Sequence, residues 1–451
     1  MKDIATYCFV AAALAGGAIA EAQNVSSETP EVVLFENVRV FDGTSEQLSA
    51  PVNVLIKGRQ IRTISADSIK PPPDALQLTR IDGTGRTLMP GLIDVHVHLT
   101  FGAMSVQQMH DPSTTPEVMG QAAAAQADRM LMRGFTAVRD AGGQVFALKA
   151  AIDSEKTVGP RIWPSGALIS QTAGHGDMRL PSERSRRFFG QPSKAELMGA
   201  SFIADGRAEV LTAVRENLRF GASQIKLTAG GGTSSAYDPV DVTQYTSDEM
   251  LAAVQAAEDW GTYVMVHAYT PRAIRRAVEA GVKVIEHGQL LDAETLQLMV
   301  DNDVWLSSQM LVADTAQMDP LRRAKRKPII EGQSKVWPMA RDMGVKLAWG
   351  TDFLFEPELN DQQNAYALRL TEFFSPAELL KLLTHDNAQV LALSGLRSPY
   401  PGTLGVVEED ALADLILVDG DPLADIELIG DPASKFLVIM KDGKIYKNMI
   451  E

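Results

Sequence analysis

Two histidines one residue apart, His96 and His98 in Met89-Pro-Gly-Leu-Ile-Asp-Val-His-Val-His-Leu99, have the type and spacing to bind a metal ion. Side chains at i and i+2 of a strand project to the same side, so both imidazoles can reach one cation. Leu92, Ile93, Val95, Val97 and Leu99 predict that strand, and Pro90-Gly91 supplies the turn that enters it. Further candidate ligands follow at Lys226, His267, His287 and Asp352. Lys226 is a cation and a poor ligand unless its amine is converted to a carbamate by CO2. With that change, four imidazoles, one carboxylate and one carbamate can hold two divalent ions about 3.5 to 4 Å apart.

Such residues need a frame that brings them to one rim. Eight candidate strands are read from apolar runs: one around His96, then 136–140, 162–169, 224–228, 263–269, 282–287, 304–308 and 345–352. Helix signals separate several of them. Thr246-Ser-Asp-Glu249 is a capping box, Thr270-Pro271 an N-cap followed by proline, and Gly261 and Gly281 close helices. The expectation is an α/β protein, a (β/α)8 TIM barrel over residues 89–398. His96 and His98 end strand one, Lys226 strand four, His267 strand five, His287 strand six and Asp352 strand eight, where a barrel carries its chemistry. Residues 23–88 and 399–451 read instead as short strands and turns, predicting one small β-sandwich made from both chain ends.

The chain of 451 residues, 45% hydrophobic, suits a folded protein with a large domain and a smaller one. Its 42 Lys and Arg against 57 Asp and Glu leave a formal charge of −15, which opposes binding to nucleic acid or to anionic membranes. Residues 1–22 are similar to a secretory signal peptide: an uncharged, Ala-rich stretch from Tyr7 to Ala20, with cleavage after Ala20 or Ala22. Export, to a periplasm or beyond, is the expectation, and no other apolar run approaches the roughly 18 residues of a membrane span. Cys8, the single cysteine, lies inside that segment. The mature chain then has no disulfide, no cysteine nucleophile and no thiolate ligand.

Over nearly the whole mature length the chain resembles the metal-dependent amidohydrolase superfamily. The matching segments are Pro90 to His98, Gln224-Ile-Lys-Leu-Thr-Ala-Gly-Gly-Gly232, Val266-His267-Ala-Tyr269, Glu286-His287-Gly288, Gly350-Thr-Asp352 and Ala413 to Pro422. The Lys-bearing segment and Gln171-Thr-Ala-Gly-His-Gly-Asp177 are most similar to the imidazolonepropionase-related dipeptidases, a branch with prolidase-like carboxypeptidases and ochratoxin-hydrolysing amidases. The resemblance implies two zinc ions. His96, His98 and Asp352 would bind the more buried one, His267 and His287 the other, with carboxylated Lys226 between them. It further implies hydrolysis of the amide joining an acyl group to a C-terminal amino acid, and a homo-oligomer, octamers included.

In that reaction a water between two cations is acidified toward neutral pH, and a metal polarises the carbonyl. Asp352 relays a proton to the leaving amine. His175 hydrogen-bonds the carbonyl oxygen, while Tyr269, and less directly Tyr237, meet the substrate carboxylate. His110 and His385 read as structural. The run Arg322-Arg-Ala-Lys-Arg-Lys327 is placed on the loop after strand seven, as a solvated face that can also attract acidic substrates. Gly230-Gly231-Gly232 lacks the Lys-Ser/Thr of a phosphate loop and reads as backbone freedom beside Lys226. Two rival readings keep the fold: a mononuclear deaminase or imidazolone-type ring hydrolase that does not need Lys226, and a non-catalytic binding protein, which should have lost ligands.

Overall fold

The computed structural model describes residues 32–73, 77–111, 113–311 and 319–450. The signal-like segment and Cys8 lie outside the described residues. Eight parallel strands succeed one another in chain order: Leu92–Val97, Phe135–Asp140, Arg161–Pro164, Ile225–Thr228, Val264–Ala268, Val284–His287, Trp305–Ser308 and Leu347–Trp349. Helices between them cover the outside, as expected of a (β/α)8 barrel. The Thr246 capping box opens the helix Ser247–Glu258 as its sequence predicts, and Gly261 and Gly281 end their helices with φ of 71° and 98°.

The barrel closes where strand eight meets strand one. Asp352 N–H donates to His96 O at 2.8 Å, and buried Asp94 accepts from Thr351 N at 3.1 Å and Thr351 Oγ1 at 2.8 Å. A Cβ on Gly350 would stand 2.3 Å from His96 N. Only glycine allows the two strands to approach so closely.

Strand three departs from expectation. In place of one strand over 162–169, Arg161–Pro164 pairs with Phe135–Asp140, and a separate strand, Leu168–Ser170, pairs with Ile225–Thr228. Gly166 turns the chain at φ 76°, and the Asn217 side chain bonds both the N–H and the C=O of Ala167 in place of a ladder. An unpredicted strand, Ser201–Ile203, adds to the outer edge of Leu168–Ser170.

The basic run is likewise not in a loop. It forms the first turns of the helix Pro320–Asp342, capped by Asp319 and anchored by buried Ile329, Val336, Trp337 and Ala340. That apolar spacing offsets the breaking tendency of the internal Pro328 and Pro338. Among the described residues, no helix is long and apolar enough to cross a membrane.

The chain ends form a separate mixed sheet of eight strands: Val32–Val40, Val52–Lys57, Gln60–Ser65, Leu78–Asp82, Thr87–Pro90, Leu415–Val418, Phe436–Lys441 and Lys444–Asn448. Val32–Val40 is one strand with a bulge between Phe35 and Val38 and φ 54° at Asn37. Its first half pairs with Leu78–Asp82 and its second with Thr87–Pro90. The halves of the bent sheet share a core containing Phe35, Ile56, Leu88 and Val438, which is the sandwich built from both ends. Buried Arg161 at the start of strand three ties this sheet to the barrel through a two-pronged contact with Asp414 at 2.9 and 3.0 Å.

Candidate metal centre

His96 lies within strand one and His98 just beyond it, both buried. Asp352 Oδ1 stands 3.3 Å from the Nε2 of each. Asp352 follows strand eight by three residues with φ 54°, a left-handed conformation uncommon outside glycine and in keeping with a functional site. His287 closes strand six at φ 79°, with Nδ1 3.8 Å from Asp352 Oδ2. Lys226 sits in the middle of its strand, not at the end, and projects into the barrel, where its Nζ is 3.3 Å from His96 Nε2. His267 is next to last in strand five, its ring centroid 4.3 Å from that of His287.

The hydrogen bonds select one nitrogen of each ring. His96 Nδ1 donates to Glu286 Oε2 at 2.6 Å, His98 Nδ1 to Gly142 O at 3.0 Å, and His287 Nδ1 to Gln309 Oε1 at 2.6 Å. At His98 and His287 this leaves Nε2 with its lone pair; at His96, against burial and Lys226, the carboxylates of Asp352 and Glu286 raise the ring above the ordinary imidazole range, so a cation there displaces the Nε2 proton. His267 reverses the pattern, with Nε2 donating to Gly231 O at 3.0 Å, so Nδ1 is its free nitrogen. Burial holds His98 and His267 below the ordinary imidazole range, with neighbouring cations adding to it at His267, and against the pull of Asp352 it pushes His287 down to about 3. These rings are therefore neutral, the form that ligates metals. Burial also pushes Lys226 down to about 8, against the pull of Glu286 and Asp352.

The donor set fits a divalent transition metal. One ligand atom each from His96, His287 and Asp352 lie within 4.8 Å of one another, and imidazole with carboxylate is the chemistry such ions select. Glu286 is the main feature that sequence patterning passed over. It adjoins His287 in strand six, is fully buried, and places Oε1 2.5 Å from Arg139 Nη2. Arg139 in turn bonds Val95 O at 2.6 Å and Tyr263 OH at 2.9 Å. The available signal was a charged residue inside each of two apolar strands, since buried charges are nearly always paired.

Of the other predicted residues, His175 and Tyr237 line the cavity. His175 stacks on His267 with centroids 3.9 Å apart, and its Nδ1 is 2.8 Å from Ser235 Oγ and 3.6 Å from Asp238 Oδ2. A Cβ on Gly232 would lie 1.9 Å from the His175 ring, so the glycine run makes room for this imidazole. Tyr269 is buried, its ring 5.0 Å from His267 and 5.1 Å from His287. Tyr237 is exposed at the cavity mouth, its hydroxyl donating to Arg179 O at 2.7 Å. His385 bonds Asp386 outside the cavity, and His110 ends a short helix, Val106–His110.

Residues 87–451 match the Amidohydrolase family, and the chain belongs to it. It is 30% identical over 390 residues to ochratoxinase of Aspergillus niger, with 83% of this chain and 79% of that protein covered. Among solved structures, an amidohydrolase superposes with a TM-score of 0.84 at 35% identity, covering 93% of this chain and 100% of the other. A prolidase complexed with N-methylphosphonate-L-proline gives 0.83 at 32% identity, covering 92% and 100%. The protein is a hydrolase of amide bonds, similar to ochratoxinase and to the prolidases.

Proposed function

We propose that this protein is an exported binuclear amidohydrolase that cleaves the amide joining an acyl group to a C-terminal amino acid. Dipeptides, N-acyl amino acids and ochratoxin-like phenylalanine amides are the candidate substrates. The observation carrying this reading is Lys226. A buried amine 3.3 Å from a candidate ligand nitrogen, with its proton affinity lowered by burial, gives the neutral form that CO2 requires more readily than an ordinary lysine. As a carbamate it would bridge two zinc ions, one held by His96, His98 and Asp352 and the other by His267 and His287.

Bound there, the ions would acidify water and polarise a carbonyl. The chain supplies the remaining functions. Asp352 takes a proton as the nucleophile adds to the carbonyl carbon and delivers it to the departing amine. His175, fixed through Ser235 and Asp238, donates to the carbonyl oxygen as charge develops on it. Tyr269 meets the substrate carboxylate from the strand-five side, and Tyr237 closes the mouth of the site. Similarity to the ochratoxinase and the prolidase supports the bond cleaved, and assembly as a homo-oligomer is part of the proposal. Release of phenylalanine from N-acyl-phenylalanines and from a dipeptide panel tests the reading. Activity that survives in a folded Asp352→Asn variant contradicts it.

A further inference from the structure

The cavity over the metal centre, about 390 Å³, has two unlike sides. Over strands four and five the lining offers hydrogen-bonding groups, His175 and Ser235, with buried Tyr269 against His267 behind them. The loops after strands one, three and eight present instead Met109, Leu168, Met178, Ala200, Leu354 and Phe355, one apolar cluster with Phe101 at its base. Phe355 is held at φ 59°, with its amide donating to Phe101 O at 3.0 Å. A bulky residue rarely adopts that backbone, and here it completes the wall. With the substrate carboxylate placed toward Tyr269, the group on the other side of the scissile amide falls against this wall.

In a free dipeptide that group carries an ammonium, which needs a carboxylate partner when removed from water. Apart from Asp352, two carboxylates line the cavity among the described residues, Asp177 and Glu183, and both are engaged. Asp177 is gripped by Arg179 through Nε at 2.7 Å and Nη2 at 2.5 Å, and it accepts from Ala173 N at 2.8 Å. Glu183 accepts from Leu180 N and Lys194 N, both at 2.8 Å. The Lys194 ammonium at the same end bonds only Met109 O, at 3.4 Å, with no ion pair among the described residues. Lys194 thus already supplies a cation opposite Glu183 and Asp111 at this end, which leaves less carboxylate charge for a second one.

We infer that the site takes N-acylated amino acids with bulky apolar acyl groups in preference to free dipeptides. The inference rests on the proposed amide hydrolysis and narrows its substrate class. The flexible thioethers of Met109 and Met178 suit a wall that adapts to acyl groups of different shape.

The test compares Leu-Phe with 4-methylpentanoyl-Phe, which differ only in the α-ammonium, using the metal-loaded full chain. The expected kcat/KM is at least about tenfold higher for the acyl compound, since an unpaired ammonium is costly to desolvate. Naphthoyl-Phe is expected to exceed acetyl-Phe by about tenfold or more from apolar burial. Ala195→Glu places a carboxylate in the apolar wall, where Ala195 packs and lines the cavity. It is expected to narrow the Leu-Phe deficit, while Ala195→Gln leaves the deficit unchanged. Leu-Phe cleaved as well as or better than its acyl analogue overturns the inference and leaves amide hydrolysis standing. Cleavage of neither compound overturns both.

Discussion

The Glu286 carboxylate accepts from His96 Nδ1 at 2.6 Å while its other oxygen sits 2.5 Å from Arg139 Nη2. A buried ion pair thus fixes the tautomer and tilt of a candidate ligand from behind. Partners of this kind typically contribute 10- to 100-fold, roughly, in metal affinity.

Glu286→Gln keeps the shape but loses the charge. Metal affinity by chelator competition is expected to fall by about 10- to 100-fold. The melting temperature falls as well, because Arg139 is left buried without its counter-charge, a loss of about 3 kcal/mol or more. Unchanged metal retention contradicts the positioning role.

Lys226 makes stability depend on pH in a defined direction. Its amine titrates near 8 in the folded chain against 10.5 ordinarily, so between those values the unfolded state binds more protons. In metal-free protein without CO2, stability should therefore rise with pH across this window, by up to about 3 kcal/mol. Denaturant midpoints of wild type and Lys226→Met, compared at intervals from pH 7 to 10.5, isolate this contribution. The difference between them should shift in favour of wild type as pH rises, and a constant difference contradicts the shifted amine.

Gly232→Ala pushes a methyl group into the His175 ring. The expected result is a fall in kcat/KM of about 10- to 100-fold from a displaced oxyanion donor, with a melting temperature within a few degrees of wild type. If activity is retained, His175 is not the donor.

Gly350→Ala acts on the barrel seam, where the added Cβ meets His96 N at 2.3 Å and the Asp94 carboxylate at 2.8 Å. Neither neighbour is free to move, since Asp94 also holds Thr351 and Gln363. Loss of about 3 kcal/mol or more is expected, read as poor soluble expression or a much lower unfolding midpoint.

The barrel strands were legible because each is an apolar run, and strands one, four, five, six and eight carry a ligand-type residue within or just after the run. His96, His98, His267, His287 and Asp352 converge as their positions on those runs imply. Strand three was not legible as two pieces, because its break depends on Asn217, a residue fifty positions from Ala167 that replaces the ladder bonds. The helix at Pro320–Asp342 was hidden by two prolines and by six residues of which five are cationic, although Ile329, Val336, Trp337 and Ala340 already carried its apolar stripe. Glu286 and Arg139 were visible only as charges inside buried strands. Their pairing is a contact across the barrel that no local pattern encodes.

The most direct measurement is divalent metal per protomer for wild type and Lys226→Ala, made alongside hydrolysis of an N-acyl phenylalanine. Two ions per wild-type protomer with amidase activity, both diminished in the variant, is the predicted result. One ion per protomer, with activity indifferent to Lys226→Ala, would contradict the bridged centre.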